Sequence, residues 1–404
     1  MLEEELEEVL DADIYAAALK AAEEAVESIA EAWELAKPYL EEAEPKVREM
    51  ASMLGEPLRD YRVAAVDSTF TPALALRGFH ASVVVLARVL YPSEARPKFK
   101  LEVLHPARES EEEEASPSSG DVKEAEVKFM LEVADGGGFD VLVRDGDYPP
   151  VDALFPTTRG RRLAPPCEKL MEKALEAGFG LAGLVKRVRT ALIAYRVLGE
   201  SPFEEAARLR DRNPSVASAF MELLSDSVLG WLMLEPGEYL HIGSYGDDVD
   251  GSSMIAAYFS ARTWRKQPLE RITTVLDRHK LFKRVEVAYY RPQGELAPLV
   301  KLTGFNLDLK DFAAYSLKYT RGPAYPDYIN LADTACLEYA RTVKPEDIML
   351  LALYTASHAR GLHKLRFRGR SPALLALQNI QKLTLVHSRI ARMSERAARG
   401  GRRA

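Results

Sequence analysis

Cysteine is nearly missing from this chain, with only Cys167 and Cys336 among 404 residues. Two thiols this far apart build neither a disulfide framework nor a cysteine-rich zinc site. Long hydrophobic runs are missing too: no apolar stretch approaches the roughly 20 residues that cross a bilayer. The opening MLEEELEEVL is acidic, unlike the basic and then apolar start of a secretory leader. A cytoplasmic protein without membrane association is expected. The seven histidines are scattered and include no HExxH pair, and no GxSxG nucleophile turn occurs. Gly136 to Gly138 follow a predicted helix and precede a predicted strand, the reverse of a Walker A loop, so no nucleotide site is supported. The acids of GSYGDDVDG after His241 lack the terminal glutamate of a calcium loop and read as an exposed turn. No internal repeat is visible.

What remains is an ordinary globular composition, 47% hydrophobic and 28% charged, long enough for a large core. The net charge of −7 argues against indiscriminate nucleic-acid binding, but its distribution is uneven. Acid is concentrated in residues 2–48 and in Glu109 to Glu114. Base is concentrated after Arg360, where Glu395 is the only acid before the end. That asymmetry permits a local basic surface, from Arg360 to Arg403, on an acidic protein.

Helical spacing of alanine and leucine over residues 1–52 predicts helices, with Pro38 and Pro45 breaking the run. The period then changes. Arg62 to Val66 is a short β-type run ending in Asp67, followed by strands at Ala81 to Leu90 and Phe99 to Leu104. Residues 106–120 have the composition of an exposed loop. Asp121 to Ala134 is helical, and Phe139 to Val143 is a fourth strand ending at Asp145. Short links among the first three strands predict an antiparallel meander, with the helix crossing back to a strand parallel to the first. This is the order of an RNase H-like mixed sheet with flanking helices, an α/β class. Beyond it, residues 166–198 read as helical and carry Lys186, Arg187 and Arg189, with more helix to about Leu234. Strands are expected at Tyr239 to Ile242, Met254 to Ala261, Arg284 to Tyr290 and Pro298 to Leu302, and helices at 325–341 and 346–396. The chain divides into an N-terminal helical region (1–56), an RNase H-like domain (57–345) and a C-terminal helical region with a basic tail (346–404).

Three carboxylates carry the chemistry. Asp67 in AAVDST and Asp145 in VLVRDGD each sit where a hydrophobic strand is expected to end, a place also favoured by turn and capping aspartates. Glu126 has Val122, Phe129, Met130 and Val133 at helical spacing, which places it on the apolar stripe, whereas Glu124 and Glu132 fall towards polar positions. A buried carboxylate needs a partner, either a cation or a base such as Arg144 or Lys186. Asp67, Glu126 and Asp145 together would bind hard cations such as Mg²⁺ or Mn²⁺ through oxygen. Two such ions about 4 Å apart activate water and stabilise the leaving oxygen of a phosphodiester. Arg262, Trp264 and Arg265, and likewise Tyr289, Tyr290 and Arg291, interleave aromatics with arginine near expected strand ends. Such groups stack bases and neutralise phosphate, or else serve as ordinary half-buried sheet residues.

Over residues 57–345 the chain resembles the NurA nuclease family. The resemblance is carried by AAVDSTFTPAL with the valine-rich strand after it, FDVLVRDGDYPPVDAL, GLVKRVRT, SDSVLGWLMLEPGE and GPAYPDYINLAD, in that order and spacing. It implies a Mn²⁺-dependent (or Mg²⁺-dependent) nuclease on DNA single strands and duplex ends, with 5′–3′ polarity, acting in end resection and recombinational repair. It also implies a homodimer working with a HerA-type hexameric ATPase. By the same resemblance Asp67 and Asp145 match metal aspartates, and Glu126, with Glu124 as the alternative register, matches a helical glutamate. Lys186 matches a lysine that contacts the scissile phosphate, Tyr325 the tyrosine of a YP motif, and Arg187 and Arg189 join Arg262, Trp264 and Arg265 as candidate DNA contacts. Two positions depart from the family pattern: Ser68 stands where glycine is usual, and Asp333 stands where histidine is usual. Asp333 is an oxygen donor and becomes a candidate fourth metal ligand. The competing class is a catalytically silent DNA-binding or ATPase-regulating subunit that keeps the fold.

Overall fold

The computed structural model describes residues 12–70, 74–76, 79–92, 96–104, 119–249, 251–263, 267–294, 297–321 and 325–344. In chain order the elements begin with α1 (Ala12–Met50), β1 (Ala51–Met53), β2 (Val63–Phe70), β3 (Leu74–Leu76), β4 (Phe79–Tyr91), β5 (Lys98–Leu104), α2 (Ser119–Gly136) and β6 (Val141–Asp145). There follow α3 (Thr158–Ala177), β7 (Gly180–Val185), α4 (Leu192–Leu198), α5 (Ser201–Arg212), α6 (Pro214–Leu223), α7 (Asp226–Met233) and β8 (Glu238–Ser244). The remaining elements are α8 (Met254–Thr263), α9 (Gln267–Arg278), β9 (Glu286–Tyr290), β10 (Val300–Phe305), α10 (Leu309–Lys318) and α11 (Asp327–Val343).

The chain forms two compact units, Met1–Arg62 with Phe139–Asp327, and Val63–Gly138 with Tyr328–Ala404. In the first, strands lie in the order β1-β8-β9-β10-β7-β6. The β6–β7 pair is parallel and the others are antiparallel. Strands β7 and β10 are buried along almost their whole length, so they read as continuous apolar runs rather than alternating ones. In the second unit β4 is central, pairing antiparallel with β2, β3 and β5. The meander expected from the short links is therefore present. Helix α2 packs on it through Val122, Phe129, Met130 and Val133, all buried.

Four local expectations are corrected. Pro38 and Pro45 do not break the first helix but lie inside α1. Both prolines are exposed, so water can satisfy the carbonyls they release, while the opposite face buries Ala32, Ala36, Leu40, Ala43 and Val47. Asp67 is not at a strand end: β2 continues to Phe70, and Asp67 pairs with Ala87. The stretch 166–198 is not all helix, because Gly178 ends α3 in the left-handed conformation and GLAGLV then forms β7. Lys186, Arg187 and Arg189 consequently lie in the loop after a strand. Finally, Met254 to Ala261 belongs to helix α8 rather than a strand, since short apolar runs fit either period. The expected C-terminal helix at 346–396, with its basic tail, lies outside the described residues, as does the loop at 106–118. No single described helix is long and apolar enough to cross a membrane.

One buried carboxylate organises the first unit. Asp226 is fully buried and accepts hydrogen bonds from Thr190 Oγ1 (2.5 Å), Tyr289 Oη (2.5 Å) and the Ile193 amide (2.7 Å). Its own amide donates to the Thr190 carbonyl at 2.7 Å. These bonds tie the start of α7 to the loop after β7. Asp226→Ala should destabilise the protein by about 3 kcal/mol or more in urea unfolding, because buried donors are left unsatisfied. Burial pushes the Asp226 carboxyl above its ordinary range, against the opposing pull of those hydrogen bonds. The folded state thus holds this proton more tightly than the unfolded chain, and the group's contribution to stability falls as pH rises through the carboxylate range. Asp226→Asn should flatten that part of the pH–stability curve.

Candidate functional site

Within the second unit, two of the expected acids are brought together by a residue that sequence reasoning noted only as a departure. Asp67 is 8% exposed and Glu126 5% exposed. The Asp67 Oδ1 accepts the Ser68 amide at 2.7 Å, and the Ser68 hydroxyl donates to Glu126 Oε1. Serine can make this link and glycine cannot. The helix register favours Glu126 over Glu124, which is part-exposed and pairs with Lys128 at 2.9 Å, one turn along α2. Glu132 faces outward and pairs with Lys100.

Helix α11 brings Asp333 into the same unit. Its Cys336 thiol donates to the Asp67 carbonyl at 3.2 Å and is buried. Burial pushes that thiol well above its usual range, and the charges of Asp67, Glu126 and Asp333 push it further. All three acids therefore act electrostatically on one sulfur. Cys336 is held as a neutral thiol, and Cys167 is also buried and unbridged.

The first unit holds the other expected residues. Asp145 ends β6 and pairs with Leu184 of β7. Its Oδ2 meets Lys186 Nζ at 2.7 Å, with both side chains less than one-fifth exposed. The Tyr325 hydroxyl donates to the Lys186 carbonyl at 2.8 Å, and Lys186 Nζ lies 5.8 Å from the Tyr325 ring centre. Burial raises the Tyr325 phenol, while Lys186 and Arg187 oppose the shift, so it remains a neutral donor at neutral pH. Two residues on, Asp147 pairs with the buried Lys301 of β10 at 2.6 Å. The turn between these aspartates depends on Gly183, where a Cβ would collide with the backbone of Gly146 and Tyr148. Asp147 and Lys301 were not legible as a pair, since they lie about 150 positions apart in the chain.

Of the expected DNA contacts, Arg187, Arg189 and Arg262 are exposed. Arg262 lies at the end of a helix, and its Nη1 donates to the Tyr258 hydroxyl at 3.0 Å. Trp264 and Arg265 lie outside the described residues. Tyr289, Tyr290 and Arg291 are buried, and Arg291 donates to the carbonyls of Trp231 and Leu234, so the ordinary sheet reading applies to them. The GSYGDDVDG segment shows turn chemistry, with Asp247 accepting from Ser244 and Asp248 from the Gly251 amide.

The donor chemistry around Asp67 and Glu126 fits a hard divalent cation: two buried carboxylates linked through one hydroxyl residue. Magnesium-type sites commonly use one or two carboxylates and fill the remaining positions with water and substrate phosphate. Among the described residues no group of three or more His, Cys, Asp or Glu side chains is arranged to hold an ion alone.

A mixed α/β protein with acids on its strands and on its helix is the class these features define. No known family profile matches the sequence, and no curated protein does. The NurA nuclease from Sulfolobus solfataricus, by contrast, superposes over 85% of this chain and 98% of its own, with 11% identity and a TM-score of 0.50. NurA crystallised with manganese matches over 79% and 97% (12% identity, TM-score 0.36), and Endonuclease V from Bacillus subtilis over 75% and 91% (13% identity, TM-score 0.34). Only the first of these bears weight. It shows that the chain shares the fold of that protein, the RNase H-like mixed sheet expected from the strand order, and at 11% identity the likeness is one of fold alone.

Proposed function

We propose that the protein is a divalent-metal-dependent deoxyribonuclease. The observation that carries this reading is the buried Asp67–Ser68–Glu126 link, on a fold shared with a nuclease. Two carboxylates held together at a buried position offer the oxygen donors that Mg²⁺ and Mn²⁺ take. Asp67 and Glu126 would hold Mn²⁺ or Mg²⁺, and the same role is proposed for Asp145 from its matched motif and for Asp333. A bound ion of this kind lowers the pKa of its water and stabilises the leaving oxygen in an in-line displacement. Lys186 would neutralise phosphate charge, with Tyr325 fixing the backbone that carries it. Arg187, Arg189 and Arg262 would contact the DNA backbone through exposed guanidinium groups.

The substrates proposed are single strands and duplex ends, in end resection and recombinational repair. A homodimer cooperating with a HerA-type hexameric ATPase is part of the same reading, resting on the sequence resemblance. Protein stripped with EDTA should leave end-labelled single-stranded and duplex DNA intact and should cut both when Mn²⁺ is restored. A preparation that cuts equally well in EDTA, or not at all with Mn²⁺ or Mg²⁺, would refute it.

A further inference from the structure

Arginine is gathered at one cavity of the first unit that the carboxylate chemistry does not use. The cavity has a volume of about 410 Å³ and is lined by Arg189 from the loop after β7, Arg210 from the end of α5 and Arg262 from the end of α8. Glu222 is the one acid on its wall, and Met221 and Ala217 supply apolar surface. The three cations come from segments far apart in sequence, yet one buried atom ties the Arg262 side chain to the backbone two residues beyond Arg189. The Tyr258 hydroxyl accepts Arg262 Nη1 at 3.0 Å and the Ala191 amide at 3.0 Å. Thr190, between Arg189 and Ala191, is clamped from the other side by Asp226. The loop carrying Arg189 and the helix end carrying Arg262 are thus set in place before any ligand arrives.

We infer that this arginine-lined cavity binds phosphate of a DNA strand. Guanidinium groups bind phosphate oxygens in pairs of hydrogen bonds and are weakly hydrated, which suits them to a partly apolar recess. Three arginines against one glutamate give a locally positive site on a chain of net charge −7. A volume of this size accommodates a nucleotide unit, with the apolar wall against sugar or base. The choice of DNA rests on the proposed nuclease function. Arg210 was not among the residues expected from sequence, because its partners in the cavity lie on other elements.

The test is binding rather than cleavage, so the two readings fail separately. Affinity of the full chain for a fluorescein-labelled single-stranded oligonucleotide is measured in EDTA over a range of salt concentrations. Arg210→Gln and Arg262→Gln should each weaken binding several-fold and reduce the salt slope by about 0.7, the value for one phosphate contact on a single strand. The triple variant with Arg189→Gln should reduce the slope by about 2 on the same basis. Glu222→Gln should strengthen binding, which damage to the fold would not do. Thermal melts check that the exposed substitutions leave the protein folded. Unchanged affinity and slope in the folded triple variant would overturn the inference. So would loss of calorimetric dAMP binding in that variant with oligonucleotide affinity intact, since the cavity would then serve free nucleotide. Wild-type binding that depends on these arginines, without cleavage under any metal, would instead remove the nuclease reading and leave the cavity assignment in place.

Discussion

Asp67→Asn and Asp145→Asn should each lower Mn²⁺-dependent DNA cleavage by roughly 10² to 10⁴-fold, the several kcal/mol that metal-assisted charge stabilisation supplies. Asparagine keeps the size of each side chain and, at position 67, an oxygen that can still accept the Ser68 amide. Loss of activity without loss of fold is therefore the expected signature. The two substitutions differ in a second readout. Asp145→Asn also weakens the largely buried contact with Lys186, so it should lower the melting temperature as well. Cleavage rates on labelled single strands, with circular dichroism as the fold check, decide the matter. Wild-type rates in either variant, from a preparation free of contaminating nuclease, would dismiss the ligand assignment.

Glu126→Gln against Glu124→Gln separates a ligand from a surface charge. Glutamine at 126 still accepts the Ser68 hydroxyl, but it removes a buried negative charge beside Asp67. Metal-free Glu126→Gln should melt no lower than wild type, since a site built for function holds charge the fold does not need. The wild type should gain stability as Mn²⁺ is added, because a ligand bound only by the folded state raises its melting temperature. Glu126→Gln should lose most of that gain together with activity. Glu124→Gln should match wild type in both, since its pair with Lys128 is a part-exposed one between neighbours one helical turn apart. Melting curves with and without Mn²⁺ read this out, and the reverse pattern would place the helix register one face away.

Glu126 was legible because its evidence is local: four apolar neighbours at helical spacing define its face, and each of them is buried. The end of β6 at Asp145 and the antiparallel meander were legible for the same reason. What escaped depends on distant chain. GLAGLV is too short and too rich in glycine to declare a period, and only pairing with β6 and β10 makes it a strand. MIAAYFSA satisfies either period and is helical here. The hubs at Asp226 and Tyr258 join residues 30 to 70 positions apart, as with Asp226 and Tyr289 or Ala191 and Tyr258, so no window of sequence displays them. Ser68 was visible only as a mismatch to glycine, and its meaning required the position of α2.

The competing reading, a silent DNA-binding or ATPase-regulating subunit, draws its strength from Asp333 in place of histidine. Oxygen donors suit Mg²⁺ and Mn²⁺, whereas imidazole favours later transition metals, so on the proposed ligand role of Asp333 the substitution would change metal preference without removing a ligand. The deciding measurement is the initial rate of single-strand cleavage by the wild type and by Asp333→His across matched Mg²⁺ and Mn²⁺ titrations. The nuclease account predicts that the wild type cleaves with both ions, Mg²⁺ supporting it comparatively well, and that Asp333→His shifts the preference towards Mn²⁺. A wild type inert with both ions, with cleavage appearing only in Asp333→His, would contradict it.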